Sequence, residues 1–160
     1  MSNFKLDQLD RNILKALQTN GKITNKDLAD KIGLSPAPTL ERVKKLEYAG
    51  IIKGYHAELD SQKLGLGVNT YVQISLKGHN KTKVDIFTAK MNKIDEVIEC
   101  HHVTGSGDFL LRVVAKDIAS YQLLMLEKIS DIDVVDSLQT MVILSTFKDT
   151  KAIPIPDGKN

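Results

Sequence analysis

Leu34-Ser35-Pro36-Ala37-Pro38-Thr39-Leu40-Glu41-Arg42-Val43 is the stretch on which the reading of the first sixty residues turns. Ser35 suits a helix N-cap, and Pro36 fits the first helical position, where no amide donor is needed. Pro38 still lies in the first turn, whose amides have no acceptor inside the helix. The two prolines therefore sharpen a helix start without breaking the helix, which runs on through Leu40, Val43 and Leu46 to Ala49-Gly50. At about 100° per residue, Leu40, Val43 and Leu46 share one side. Ala37, Pro38, Glu41, Arg42, Lys45 and Tyr48 lie on or beside the other. The first side must pack, and the second is left to face a partner.

Two shorter helices precede this one. From Asp7, the residues Leu9, Ile13, Leu14 and Leu17 recur at helical spacing, Asp7 and Asp10 have the offset of a capping box, and Asn20-Gly21 ends the run. A second helix starts at Thr24, with Leu28, Ala29 and Ile32 on its apolar side, and closes at Gly33. After Gly50, the segment Ile51 to Leu59 alternates well enough to predict a strand, the wing of a winged helix-turn-helix. That layout places the third helix in the major groove of DNA. With Ser35 at the head of the surface, Arg42 and Lys45 are the candidate donors to base edges or phosphates. Ala37 and Pro38 are candidates to meet thymine methyl groups, and Glu41 either accepts from cytosine N4 or is a solvated charge. Lys22, Lys26 and Lys31 are further phosphate candidates. A plain three-helix bundle would carry the same spacing. A single such unit reads DNA weakly, so the DNA reading calls for a dimer.

The connector Asp60 to Gly67 puts the domain boundary near residue 64, giving a winged helix-turn-helix over 1–64, a second domain over 65–150 and a tail over 151–160. The second domain reads as strand, helix, strand, strand, helix, strand. Val68, Thr70, Val72, Ile74 and Leu76 alternate with polar residues; helices are expected over 80–92 and 118–129; strands over 96–103, 109–115 and 134–147. This is the α+β, ferredoxin-like βαββαβ order, with both helices on one face of a four-stranded antiparallel sheet. Leu110 and Val114 fall on the face opposite Phe109, Leu111, Val113 and Ala115. In the last strand Met141 and Ile143 oppose Leu138, Val142 and Leu144. A sheet apolar on both faces, with helices for only one, needs a second protomer, hence a homodimer. Between the second and third strands, Thr104-Gly105-Ser106-Gly107-Asp108 exposes backbone amides to a ligand or another chain, with Asp108 able to accept from an ammonium group; a plain hairpin turn also fits.

Composition sets the remaining bounds. Apolar residues make up 42% and charged residues 26%, with net charge +2. Residues 1–64 carry 11 Lys/Arg against 8 Asp/Glu and residues 65–160 carry 11 against 12, so any nucleic acid belongs with the first part. The one cysteine, Cys100, excludes an internal disulfide and reads as apolar filler. His101 and His102 are adjacent in a strand and point to opposite faces, while His56 and His79 are isolated; no metal site, cofactor or catalytic group is expected. No run approaches the roughly 18 to 20 apolar residues that span a bilayer, and the first residues lack a signal-peptide core. The expectation is a cytoplasmic protein without a membrane partner.

Taken together, these residues resemble the leucine-responsive, or Lrp/AsnC, family of feast/famine transcription regulators. The likeness rests on Leu6-Asp7 with Asp10, Ile13-Leu14 and Leu17, and on Leu28-Ala29 with Ile32-Gly33-Leu34-Ser35. It continues in Arg42-Val43 with Leu46-Glu47, Gly50-Ile51-Ile52 with Tyr55, Glu99-Cys100-His101, and Gly105 with Asp108-Phe109-Leu110-Leu111. The resemblance implies dimers formed through the sheet domain, further assembly to tetramers or octamers, and bending or wrapping of double-stranded DNA. It also implies an amino-acid effector held between dimers near Gly105 to Asp108, and control of amino-acid metabolism or transport genes. Two other readings share the pattern: an architectural DNA binder without an effector, and a stand-alone metabolite-binding scaffold.

Overall fold

The computed structural model describes residues 4–78 and 80–156; the isolated-histidine reading of His79 and the end of the expected tail, 157–160, lie outside them. The chain divides into two compact units, residues 1–58 with 148–160, and residues 59–147. The expected boundary at 64 thus shifts to 58/59. The described part of the tail, expected as a segment apart from both domains, groups with the first unit.

In the first unit, α1 (Gln8–Thr19), α2 (Asn25–Ile32) and α3 (Pro36–Tyr48) start where the capping residues predict. Asp7 accepts from the Asp10 amide at 2.8 Å and the Asp10 carboxylate takes the Asp7 amide at 3.1 Å, closing the capping box. Thr24 Oγ1 caps α2 through the Asp27 amide at 3.1 Å, and Gly33 ends it at φ 77°, a left-handed conformation that suits glycine. Ser35 behaves differently from the expectation. Its side chain makes no capping bond among the described residues, because Pro38 occupies a position whose amide such a cap would use. Its carbonyl instead accepts from the amide of Thr39 at 3.3 Å and from Thr39 Oγ1 at 2.9 Å.

Ile13, Ala16, Leu28 and Leu46 form the centre of this unit, with Leu14, Leu17, Ile32, Val43, Ile51 and Ile52 packed around them. The inward residues of α3 are Thr39, Val43 and Leu46, spaced by four and three. Leu40, expected in the core, is 42% exposed, since one step along the helix rotates it away from Thr39. The strand expected over 51–59 is also corrected. That segment bends at Ile51 and Ile52 and has no β-partner among the described residues. It is anchored by the amides of Ile51 and Ile52 on the Leu46 carbonyl and by the Tyr55 hydroxyl, which donates to Glu47 Oε1 at 2.9 Å.

In the second unit β1 (Val68–Leu76), β2 (Val97–His102), β3 (Phe109–Ala115) and β4 (Val135–Val142) form one antiparallel sheet in the order β2-β3-β1-β4. This is the ferredoxin-like arrangement. The helix α4 (Lys81–Met91) and the helix α5 (Ile118–Leu123), prolonged by a π-helical stretch over Leu124–Ile129, supply residues to the one core. Val72, Ile74, Phe87, Phe109, Leu111, Val113 and Ile129 are at most 1% exposed, and the Phe87 and Phe109 rings lie 4.7 Å apart. The last strand stops at Val142, five residues before the expected end.

The outer face is more mixed than the sequence reading allowed. Tyr71 stands opposite Arg112 and Met141, and Gln73 opposite Leu110 and Gln139. Arg112 reaches Glu99 at 3.2 Å and Asn69 at 3.4 Å across the strands. Polar side chains therefore interleave with Leu110 and Met141 there.

Candidate nucleic-acid interface and ligand loop

The surface of α3 displays Ser35, Ala37, Pro38, Glu41, Lys44, Lys45 and Tyr48, all exposed. Its start is set by α2 as well as by its own prolines: Asn25 Nδ2 donates to the Pro36 carbonyl at 2.8 Å. That bond fixes the turn between the two helices. Glu41 pairs with Lys44 at 3.5 Å on the surface, and the Lys45 ammonium sits 5.1 Å above the Phe4 ring, where the π-face attracts a cation. Lys22, Lys26 and Lys31 are exposed on and before α2.

Arg42 is placed differently from the other predicted contacts. Its guanidinium lies 2.7 Å from Asp7 Oδ2 and 2.7 Å from Asp10 Oδ1, and its side chain is 30% exposed against 8% for Asp10. The Asp10 amide and then the Arg42 guanidinium hold the Asp7 carboxyl below its ordinary value, while the two carboxylates raise Arg42 further. In the unbound protein Arg42 thus ties α3 to the N-terminus of α1. Sequence reasoning ranked Arg42 by charge and helical face, and Asp7 and Asp10 only as caps. Their meeting spans more than thirty residues of chain, and no local signal announces it.

At the other candidate site, Thr104, Gly105 and Ser106 are exposed between β2 and β3, with Gly105 at φ 126°. Gly107 is half-buried because the Gln73 side chain lies across it: a Cβ there would stand 2.5 Å from Gln73 Cγ. Gln73 Nε2 in turn donates to Ser106 Oγ at 3.1 Å. Asp108 anchors the loop rather than simply decorating it. Its Oδ2 accepts from the Leu76 amide at 2.7 Å and its own amide donates to the Ile74 carbonyl at 2.8 Å, stapling the start of β3 to the end of β1. The strand alternation put Gln73 on the outer face but could not give its register beside the loop.

His101 approaches Glu99 at 3.2 Å on one face while His102 stacks on Phe109 at 5.0 Å on the other, as adjacent strand residues must. Among the described residues no group of three His, Cys, Asp or Glu is placed to hold a metal ion. Burial pushes the Cys100 thiol up, consistent with a packing role. No helix of the described residues is long and apolar enough to cross a membrane.

Two family models match the chain. One, described as a winged helix-turn-helix DNA-binding domain, covers residues 6–53, and the other, described as the Lrp/AsnC ligand binding domain, covers residues 69–153. The transcriptional regulator AzlB of Bacillus subtilis is 38% identical over 95% of this chain and 97% of its own length. The leucine-responsive regulatory protein of Rhizobium meliloti is 37% identical over 94% and 97%. Among solved structures, a transcriptional regulator from Neisseria meningitidis in complex with L-methionine superposes with a TM-score of 0.90 at 33% identity, covering 94% of this chain and 97% of that one.

Proposed function

Since this chain belongs to the Lrp/AsnC family of transcription regulators, we propose that it reads duplex DNA through the exposed face of α3 and adjusts that binding to an amino acid held at the Thr104–Asp108 loop. The observation that carries the DNA half is the division of α3. Thr39, Val43 and Leu46 pack inward, so Ser35, Ala37, Pro38, Glu41 and Lys45 form one uninterrupted outward surface beginning at a proline-sharpened N-terminus. Small residues at that end let the helix approach base edges closely, and Lys45 supplies positive charge. Arg42 acts behind this surface, holding its angle.

For the effector half, the loop offers a ligand carboxylate the amides around Gly105 and Ser106, with the Gln73 amide beside them. Two protomers meet at the outer sheet face, where Leu110 and Met141 remain available, and further pairing of dimers toward tetramers or octamers would bring these loops together. A ligand there changes DNA binding only through differential affinity for two assemblies. DNA reading is assigned to residues 1–58 with the tail and effector binding to 59–147.

The test is to compare affinity for the promoter region of the protein's own gene with that for random duplex at fixed salt, with and without each of the twenty amino acids. The expected result is discrimination of about a thousandfold or more, altered by at least one amino acid. Equal affinity for both duplexes would instead support a purely architectural DNA binder, and no DNA affinity at moderate salt would rule out the DNA reading.

A further inference from the structure

The segment Ala152-Ile153-Pro154-Ile155-Pro156 lies along the first unit and is bound there mainly through its backbone. The Gln18 side-chain amide reads one residue twice: its Oε1 accepts the Ile153 N–H at 2.7 Å and its Nε2 donates to the Ile153 carbonyl at 3.1 Å. Arg11 Nε then donates to the Pro156 carbonyl at 2.8 Å. Two positions on the exposed side of α1, seven residues apart, thus grip an extended chain at points three residues apart. Beside them Leu14, Leu17, Ile51, Ile52 and Tyr55 line an apolar cavity of about 380 Å³ that Ile153 and Ile155 help to close. Ile155 is half-buried, whereas Ile153 stays 71% exposed, so Ile153 is held by its backbone and Ile155 by its side chain.

The prolines suit this arrangement. They fix φ in the extended range, remove amide donors that would otherwise need partners, and reduce the freedom lost on docking. The chain also passes between the two units twice, at 58/59 and at 147/148. Docking of the segment turns the second passage into a closed tether.

We propose that the groove between α1 and residues 51–55 is a docking site for the chain's own Ile-Pro-Ile-Pro segment, and that this strap stabilises α1 and limits the freedom of the DNA-reading helices. The second half rests on the DNA-binding reading above; the first half does not.

Hydrogen exchange on the full-length protein tests the docking without DNA. The Ile153 amide is expected to exchange about tenfold or more faster in Gln18→Ala than in the parent. The double variant Ile153→Asp with Ile155→Asp should loosen the last turn of α1 while β1 and β3 keep their protection. Equal Ile153 exchange in parent and Gln18→Ala overturns the docking. Ownership of the strap is read in a Cys100→Ser background that keeps Gln18 and carries Lys53→Cys and Ile153→Cys, two residues lining the same groove, treated with a short bismaleimide. A linked single chain is expected, whereas a linked pair of chains overturns the own-chain assignment. Finally, Gln18→Ala should weaken DNA binding severalfold. Unchanged DNA affinity alongside faster exchange overturns the second half alone.

Discussion

A single side chain, Arg42, carries a contact within the protein that its residue type does not announce. A basic residue on the recognition helix reads as a DNA contact, yet two carboxylates at 2.7 Å hold it in the free protein. Arg42→Ala should lower stability by about 2 kcal/mol, since it removes charge-assisted hydrogen bonds from a carboxylate that stays largely buried. Lys45→Ala should change stability by less than about 1 kcal/mol and reduce the salt dependence of DNA binding by about one unit of slope. Denaturant unfolding and a salt titration of affinity separate the two. Asp7 adds a pH dependence. Its folded pKa lies below the ordinary 3.8 because it accepts the Asp10 amide and faces Arg42. The unfolded chain binds the proton more readily, so the Asp7 contribution is fully present above that value and is lost as pH falls through the folded pKa. Parent and Asp7→Asn should differ in stability at about pH 6 and converge under strong acid, which acid unfolding curves would reveal.

Elements differ in how much of their design is local. Caps and left-handed glycines are written within four or five residues, and α1 and α2 begin at the residues those signals name. Ser35 is the instructive exception, where the proline that sharpens α3 also removes the donor a serine cap would use. Thr24→Ala should therefore cost about 1 kcal/mol and Ser35→Ala less than about 0.5 kcal/mol, with the loss in Ser35→Ala appearing in DNA affinity instead; thermal unfolding beside a binding assay distinguishes them. At the loop, Gly107→Ala forces a Cβ onto Gln73 Cγ. Effector affinity should fall in Gly107→Ala, and Gln73→Ala in the same chain should recover part of it, a coupling that calorimetric titration of the double-mutant cycle measures.

At the scale of the whole molecule, the proposed pairing of two copies rests on the outer face of the sheet. Leu110 and Met141 lie among polar groups on the outer sheet face, and Met141 is 42% exposed in the single chain. Placing a charge there should oppose association while sparing the opposite, helix-covered core. Met141→Asp is expected to sediment as a lighter species and to lose about a hundredfold or more in affinity for a two-site duplex, because the second site no longer benefits from linkage. A parent protein that sediments as a single chain at micromolar concentration would remove this premise.

Helix starts and stops, the alternation of β1 and the βαββαβ order were determined by the sequence itself, because each depends on backbone conformations and periodicities set by neighbours within a turn or a strand. The third helix as the outward-facing one was equally legible from Ser35 to Arg42. Only the tertiary structure decided that Arg42 turns to Asp7 and Asp10, that Thr39 rather than Leu40 is buried, that residues 51–59 form no ladder among the described residues, that Gln73 lies over Gly107, and that the segment Ile153 to Pro156 lies against α1. Each depends on groups distant in sequence or on a rotation of one helical step. Their energies are set by which surfaces meet, and no short window of residues carries that information.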